Sequence, residues 1–437
     1  MTSLSDRMGE TQRSESNVMI GNLSRRDLLA SSGAALAGAT AVLAFQPSPN
    51  KLYAYVSSWT KGPFGVGGGG GIAAFTVNRS DGSLTQAFKT GPEFDDLNGG
   101  NLCISPNGRF LYCTHEAPNL NGKAGAGGGV HAFAINQENG SLTHLNTQAS
   151  MGVNPCFIIV DKTGSRVLVA NHGDLVKAVR VVKRNGVPVI ENPTDDGTVA
   201  MLVVRADGSL EPACDVAVFE RRPLTEPGPG AAAHSVNFDN TGRWVVACDV
   251  GMDHIYVYPF DPASRTLGMG KSFATPPGRA PRHSAFHPRL PYFFITNERE
   301  SILSSFRFDS NTGDVRPIDT VPTVPADFMA RNALADIRIH PNGKFVYASN
   351  RGHDSLAIVR IEDGTGKMTP VDIASTLGGN PREFDFEPSG KFLFVGNQTT
   401  NEMVTFAVDS DTGKITPTGA KTEISKPACV KFLMLRS

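Results

Sequence analysis

Residues 380–419 read "NPREFDFEPSGKFLFVGNQTTNEMVTFAVDSDTGKITPTG". Apolar and β-branched side chains alternate with polar ones in the strand period of two, and short turns containing Gly390 and Gly413 interrupt them. The stretch therefore predicts four antiparallel strands: "PREFDF", "KFLFVGN", "MVTFAVD" and "KITPTG".

Both turns recur along the chain. The outer one returns as "DGSL" at 81, "NGSL" at 139, "DGSL" at 207, "TGDV" at 312, "TGKM" at 365 and "TGKI" at 412, with a degenerate "SRTL" at 264. The inner one returns as "SPNGRFLY" at 105, "DKTGSRVLV" at 161, "DNTGRWVV" at 239, "HPRLPYFFI" at 287, "HPNGKFVYA" at 340 and "EPSGKFLFV" at 387. Asn-Gly and Asp-Gly accept the positive φ that tight hairpins require. Glycines 343 and 390 lie 47 residues apart and glycines 82 and 140 lie 58 apart, whereas 164 and 242 are separated by 78. Four strands repeated at such intervals make the blades of a β-propeller.

Seven outer turns against six inner ones point to a ring closed from both ends of the chain. "KLYAYVSS" (51–58) matches a second strand and "KPACVKFLM" (427–434) a first strand. Together they complete a seventh blade, so the expected fold is all-β: a seven-bladed β-propeller whose C-terminal inner strand pairs with the N-terminal strands, covering edges that would otherwise template aggregation. The long interval reflects an insertion at 173–198, expected to form a hairpin or flap. The glycine-rich stretches 65–71 and 122–130 open no helix, and so they are connectors rather than phosphate cradles.

The domain is expected to span 45–437. Before it, "LSRRDLLASSGAALAGATAVLAF" sets Arg25 and Arg26 ahead of an apolar, small-residue run, which resembles the twin-arginine export signal. Residues 1–44 are thus expected to engage the twin-arginine machinery and be removed, leaving a periplasmic protein without stable membrane insertion. The alternative is a membrane anchor facing the periplasm, since roughly 18 residues is marginally long enough to span. Basic residues number 41 against 42 acidic, so no nucleic-acid partner is indicated. The six cysteines include no Cys-x-x-Cys, which argues against thiolate metal binding. Buried free thiols are expected, although an oxidising compartment permits disulfides, and Cys103 and Cys113 flank one tight turn.

Laying the blades over one another exposes positions the fold alone does not explain. Where the inner strands open, the chain has Gly100, Cys156, His234, Arg282, Ala335, Arg382 and Ala428. Small residues suit the crowded axis, whereas His234, Arg282 and Arg382 incur a desolvation cost unless an anion or water meets them. A second ring, after each second strand, holds Trp59, Glu116, His172, Val250, Glu298, Arg351 and Gln398. His283, Asp336 and Glu383 lie one residue further along the inner strands and are expected on the opposite face as structural hydrogen-bonders. His287 and His340 are expected to form turns.

With "AAAHSVNFD", "GRAPRHSAFHP", "ITNE" and "NPREFDFEPSGKFLFVGNQ", the chain resembles the lactonase-type seven-bladed propeller family, which includes propeller-type 6-phosphogluconolactonases and fungal carboxymuconate-cyclising enzymes. The resemblance implies His234, Arg282 and Glu298 as catalytic residues and Arg351 as a second arginine. On this reading the protein is a carboxylic ester hydrolase acting on a small lactone or carboxylate substrate. His234, kept neutral by neighbouring arginines, would be the base, and Arg282 would stabilise the oxyanion. Glu298 would orient His234 or water, or be the base itself, while Arg351 and Arg382 would clamp a substrate carboxylate or phosphate. Export sits poorly with a phosphorylated sugar lactone, which is made and used in the cytoplasm. Neither Gly-x-Ser-x-Gly nor His-Glu-x-x-His is present, and so no covalent serine, metal or other cofactor is expected. The alternatives are a muconate-type cycloisomerase and a non-catalytic periplasmic propeller that binds a ligand or protein.

Overall fold

A computed structural model of the protein describes residues 50–60, 67–123, 125–173, 180–191, 193–222 and 228–435. The expected signal at 1–44 lies outside these residues, as does part of the insertion. Seven four-stranded antiparallel sheets follow one another around a ring, and their inner strands contact in sequence until the last meets the first. Closure is made as the turns predict: Pro427–Leu435 pairs antiparallel with Lys51–Ser58, which pairs in turn with Ile72–Val77. Between the second and third strands of the third blade, Arg180–Arg184 and Val187–Glu191 form the expected hairpin.

The apolar core is divided among the interfaces between neighbouring blades, and the outer turns show how each interface is keyed. Gly208, at φ +87°, would place a Cβ 2.1 Å from the ring of Phe110 in the preceding blade. Glycine is required there for close approach as well as for backbone sign. The same contact joins Gly140 to Tyr53, Gly313 to Trp244, Gly366 to Tyr292, Gly413 to Phe345 and Gly82 to Phe392. The aromatic in each case opens or nearly opens a second strand. The degenerate "SRTL" turn is the exception, and its partner is exceptional too: Arg166 replaces the aromatic and donates through Nε and Nη2 to the Ser264 carbonyl at 3.2 and 3.0 Å.

The inner turns are tied from within. Nδ1 of His287 accepts the amides of Arg289 and Leu290 while Nε2 meets the Gly343 carbonyl of the next blade at 2.9 Å. His340 repeats this with Asn342 and Gly390. Both histidines form turns, and Asp161, Asp239 and Glu387 do the same work as amide acceptors in sister blades. All six cysteines are free, five of them buried.

Candidate active site

Every blade carries a register shift near the opening of its inner strand. Pairing skips from Pro281 to Ser284 in one blade, and from Pro155 to Phe157, Ala233 to Ser235 and Pro381 to Glu383 in others. Equivalent shifts follow Gly99 and Leu334, and one separates Ser57 from Ser58 where the ring closes. The residue at the bulge is the one the blade comparison singles out. A bulge re-aims side chains that regular pleating would place on alternate faces. Arg282 and His283 accordingly touch, with Arg282 Nη1 donating to His283 Nε2 at 3.2 Å. The expectation that His283, Asp336 and Glu383 face away is thus corrected. They join between blades as a buried polar tier: His283 Nδ1 donates to Asp336 at 3.0 Å, Arg338 pairs with Asp336, and Asn101 donates to Glu383 at 2.6 Å. Their role as hydrogen-bonders stands.

Beside that tier the predicted residues converge. Glu298 is bridged by Arg282 Nε and Arg351 Nη2, each at 3.0 Å. Arg351 is held further by the carbonyls of Ala333 and Leu334. His234 sits against this group, its ring 5.2 Å from that of His283 and 5.4 Å from that of His172, with the Cys156 thiol 3.7 Å from Nδ1. Arg382 stands somewhat apart with two partners the sequence did not suggest: it lies 4.0 Å over the Trp59 ring and 3.3 Å from Glu116, which also accepts the indole N–H at 2.9 Å. Cys156 and Trp59 stood in the aligned rings, but nothing in the sequence distinguished them from ordinary filling.

Accessibility and charge assign different capacities to these groups. Glu298 keeps 27% of its side chain open and Arg351 17%, whereas Arg282 keeps 1%. Burial alone would raise the Glu298 carboxyl, yet Arg351 and Arg282 hold it down to about 2, so it stays ionised and is a weak base. Burial, and after it the charge of Arg282, holds His234 well below the usual imidazole range, so it is neutral at pH 7. Burial and the nearby Arg351 lower Arg282 to about 9, which still leaves it cationic. Burial raises Glu116, against the pull of Arg382. A neutral imidazole beside paired guanidiniums can accept a proton and stabilise a developing oxyanion within one small volume.

Fold and opening together define a seven-bladed propeller with a charged axial site. The chain belongs to the family described as lactonase, 7-bladed beta-propeller, whose model matches residues 53–432. It is 31% identical to the 6-phosphogluconolactonase of Bacillus subtilis across 88% of this chain and 99% of that one. It is 28% identical to the 6-phosphogluconolactonase of Formosa agariphila across 72% and 82%. Among solved structures, the periplasmic gluconolactonase of Pseudomonas aeruginosa superposes with a TM-score of 0.74 at 26% identity, covering 88% of this chain and 99% of that one. Membership and these relatives support a lactonase function, hydrolysis of a lactone ester.

Proposed function

We propose that the protein hydrolyses a gluconolactone-like sugar lactone or a carboxylated lactone at the axial opening, with His234, Arg282 and Glu298 as the catalytic group and Arg351 and Arg382 as substrate holders. The observation that carries this reading is the Glu298 bridge between two arginines beside a neutral, buried His234. His234 takes a proton from water as the oxygen attacks the lactone carbonyl. The Arg282 guanidinium, which stands 3.0 Å from Glu298 through Nε, meets the oxyanion. Collapse breaks the carbonyl–ring-oxygen bond, and the imidazolium returns its proton to that oxygen, giving the open hydroxy acid. Glu298 keeps the two guanidiniums in place without competing for the proton.

The reaction is metal-independent on this reading, because each mouth carboxylate is already matched by arginine, which disfavours an added cation. Acid release from glucono-δ-lactone in weak buffer, followed with a pH indicator, is expected to exceed the spontaneous rate and to survive a chelator. Release no faster than buffer would overturn the lactonase reading, and loss on chelation would overturn metal independence. Residues 1–44 serve as a twin-arginine signal that delivers residues 45–437 to the periplasm. Replacing Arg25 and Arg26 by lysine is expected to leave the protein in the cytosolic fraction, and unchanged periplasmic recovery would count against the signal.

A further inference from the structure

Arg282 meets the oxyanion in the proposed reaction, and a long, flexible side chain does so only if its guanidinium is held in one orientation beforehand. Glu298 stands 3.0 Å from Nε, and a second hold comes from a residue that the reaction does not otherwise use. Arg282 Nη1 donates to Nε2 of His283 at 3.2 Å. Because guanidinium nitrogens only donate, Nε2 must present its lone pair, and the ring hydrogen must sit on Nδ1. The sixth blade secures that arrangement: Nδ1–H donates to Asp336 Oδ1 at 3.0 Å.

Asp336 is itself immobilised. Its side chain is wholly buried, Arg338 Nη1 donates to it at 2.7 Å, and its amide donates to Ser349 Oγ at 3.0 Å. Burial alone would raise its carboxyl, yet Arg338 and the bond from His283 keep it below the usual carboxylate range, so it stays an acceptor. Burial, and after it the charge of Arg282, hold the His283 imidazole down to about 3, so Nε2 stays free of a proton. The backbone is tied as well: Thr296 Oγ1 accepts the His283 amide at 3.2 Å and donates to the Ala335 carbonyl at 3.1 Å. The Phe157 ring, edge-on at 5.0 Å, and the His234 ring at 5.2 Å brace the imidazole.

We infer that His283, oriented by Asp336, is a positioning residue for lactone opening: it fixes the plane of the Arg282 guanidinium that meets the oxyanion and, at 1% exposure, touches no substrate itself. This rests on the lactonase reading of the opening. A side chain that only fills space leaves the chemical step alone. One that sets Arg282 acts where charge develops, so its removal lowers kcat and spares KM.

The test measures opening of glucono-δ-lactone by the wild type, His283→Phe, His283→Ser and His283→Gln, with and without Arg282→Met. Phe157 and Ser235 hold the corresponding position in the third and fourth blades, so the tier accommodates either side chain. Asp336 keeps Arg338 as its counter-charge throughout. His283→Phe and His283→Ser are expected to lose about 10- to 100-fold in kcat, part of the roughly 10²- to 10³-fold that one oxyanion donor supplies, with KM moved less than about twofold. Glutamine can offer its carbonyl to Arg282 and its amide to Asp336, and so His283→Gln should keep kcat within about threefold. Added to Arg282→Met, His283→Phe should cost less than about twofold more, because the group it would have oriented is gone.

If one of the phenylalanine and serine variants does not fold, the other carries the comparison. Wild-type kcat in a folded variant, a full further loss on top of Arg282→Met, or a loss in His283→Gln as deep as in His283→Ser overturns the inference. A wild type no faster than buffer overturns the lactonase reading itself, and the positioning role with it.

Discussion

His234→Ala is expected to lower kcat on a lactone by about 10²- to 10⁴-fold, the range supplied by one positioned acid–base group. KM should move little, because the arginines that hold substrate remain. The pH dependence gives an independent check. A general base works only when unprotonated, and burial together with Arg282 disfavours the imidazolium. Activity should therefore be level through neutrality and fall only as pH drops well below 6.5. Arg282→Met removes one of the charges opposing protonation, so the acid limb should move upward toward 6.5 while kcat falls. The measurement is the pH profile of kcat/KM, with Glu298→Gln as a comparison in which the base is kept. A His234→Ala enzyme with wild-type kcat would end the assignment of the base.

Deleting residues 427–437 is expected to abolish cooperative folding. The deletion takes away the whole pairing of Pro427–Leu435 with Lys51–Ser58 and the buried Cys429, Val430 and Leu435. It also exposes the inner edge of Lys51–Ser58 and removes Lys431, which reaches Asp385 at 3.1 Å. Each large apolar side chain contributes about 1.5–3 kcal/mol by burial. With the lost strand pairing, the sum approaches the entire stability of an ordinary domain, about 5–15 kcal/mol. Circular dichroism and dye binding on heating should show a broad, early transition. A sharp melt at the wild-type temperature would mean that closure contributes little.

The ring was legible because its turns repeat, and the structure explains why they must: Gly140, Gly208, Gly313, Gly366 and Gly413 each press against an aromatic one blade back. Even the failure of the repeat at Ser264 had its matching anomaly at Arg166, visible in the sequence but uninterpretable without the contact. The candidate site was legible as positions and not as partnerships. Superposing blades brings out His234, Arg282, Glu298 and Arg351, but pairs such as Arg382 with Glu116 join residues 266 apart and depend on which blades adjoin. The bulges were hidden for another reason: a one-residue slip in pairing leaves no mark on an alternating pattern, and it turned His283, Asp336 and Glu383 inward.

The seam at Lys51–Ser58 and Pro427–Leu435 also orders events in time. The strand nearest the start of the fold waits, during synthesis, for one made almost four hundred residues later. Contacts that distant form slowly and leave partly assembled sheets open to misassociation. A chain built this way can close its ring only once Pro427–Leu435 has been made and has travelled back to Lys51–Ser58.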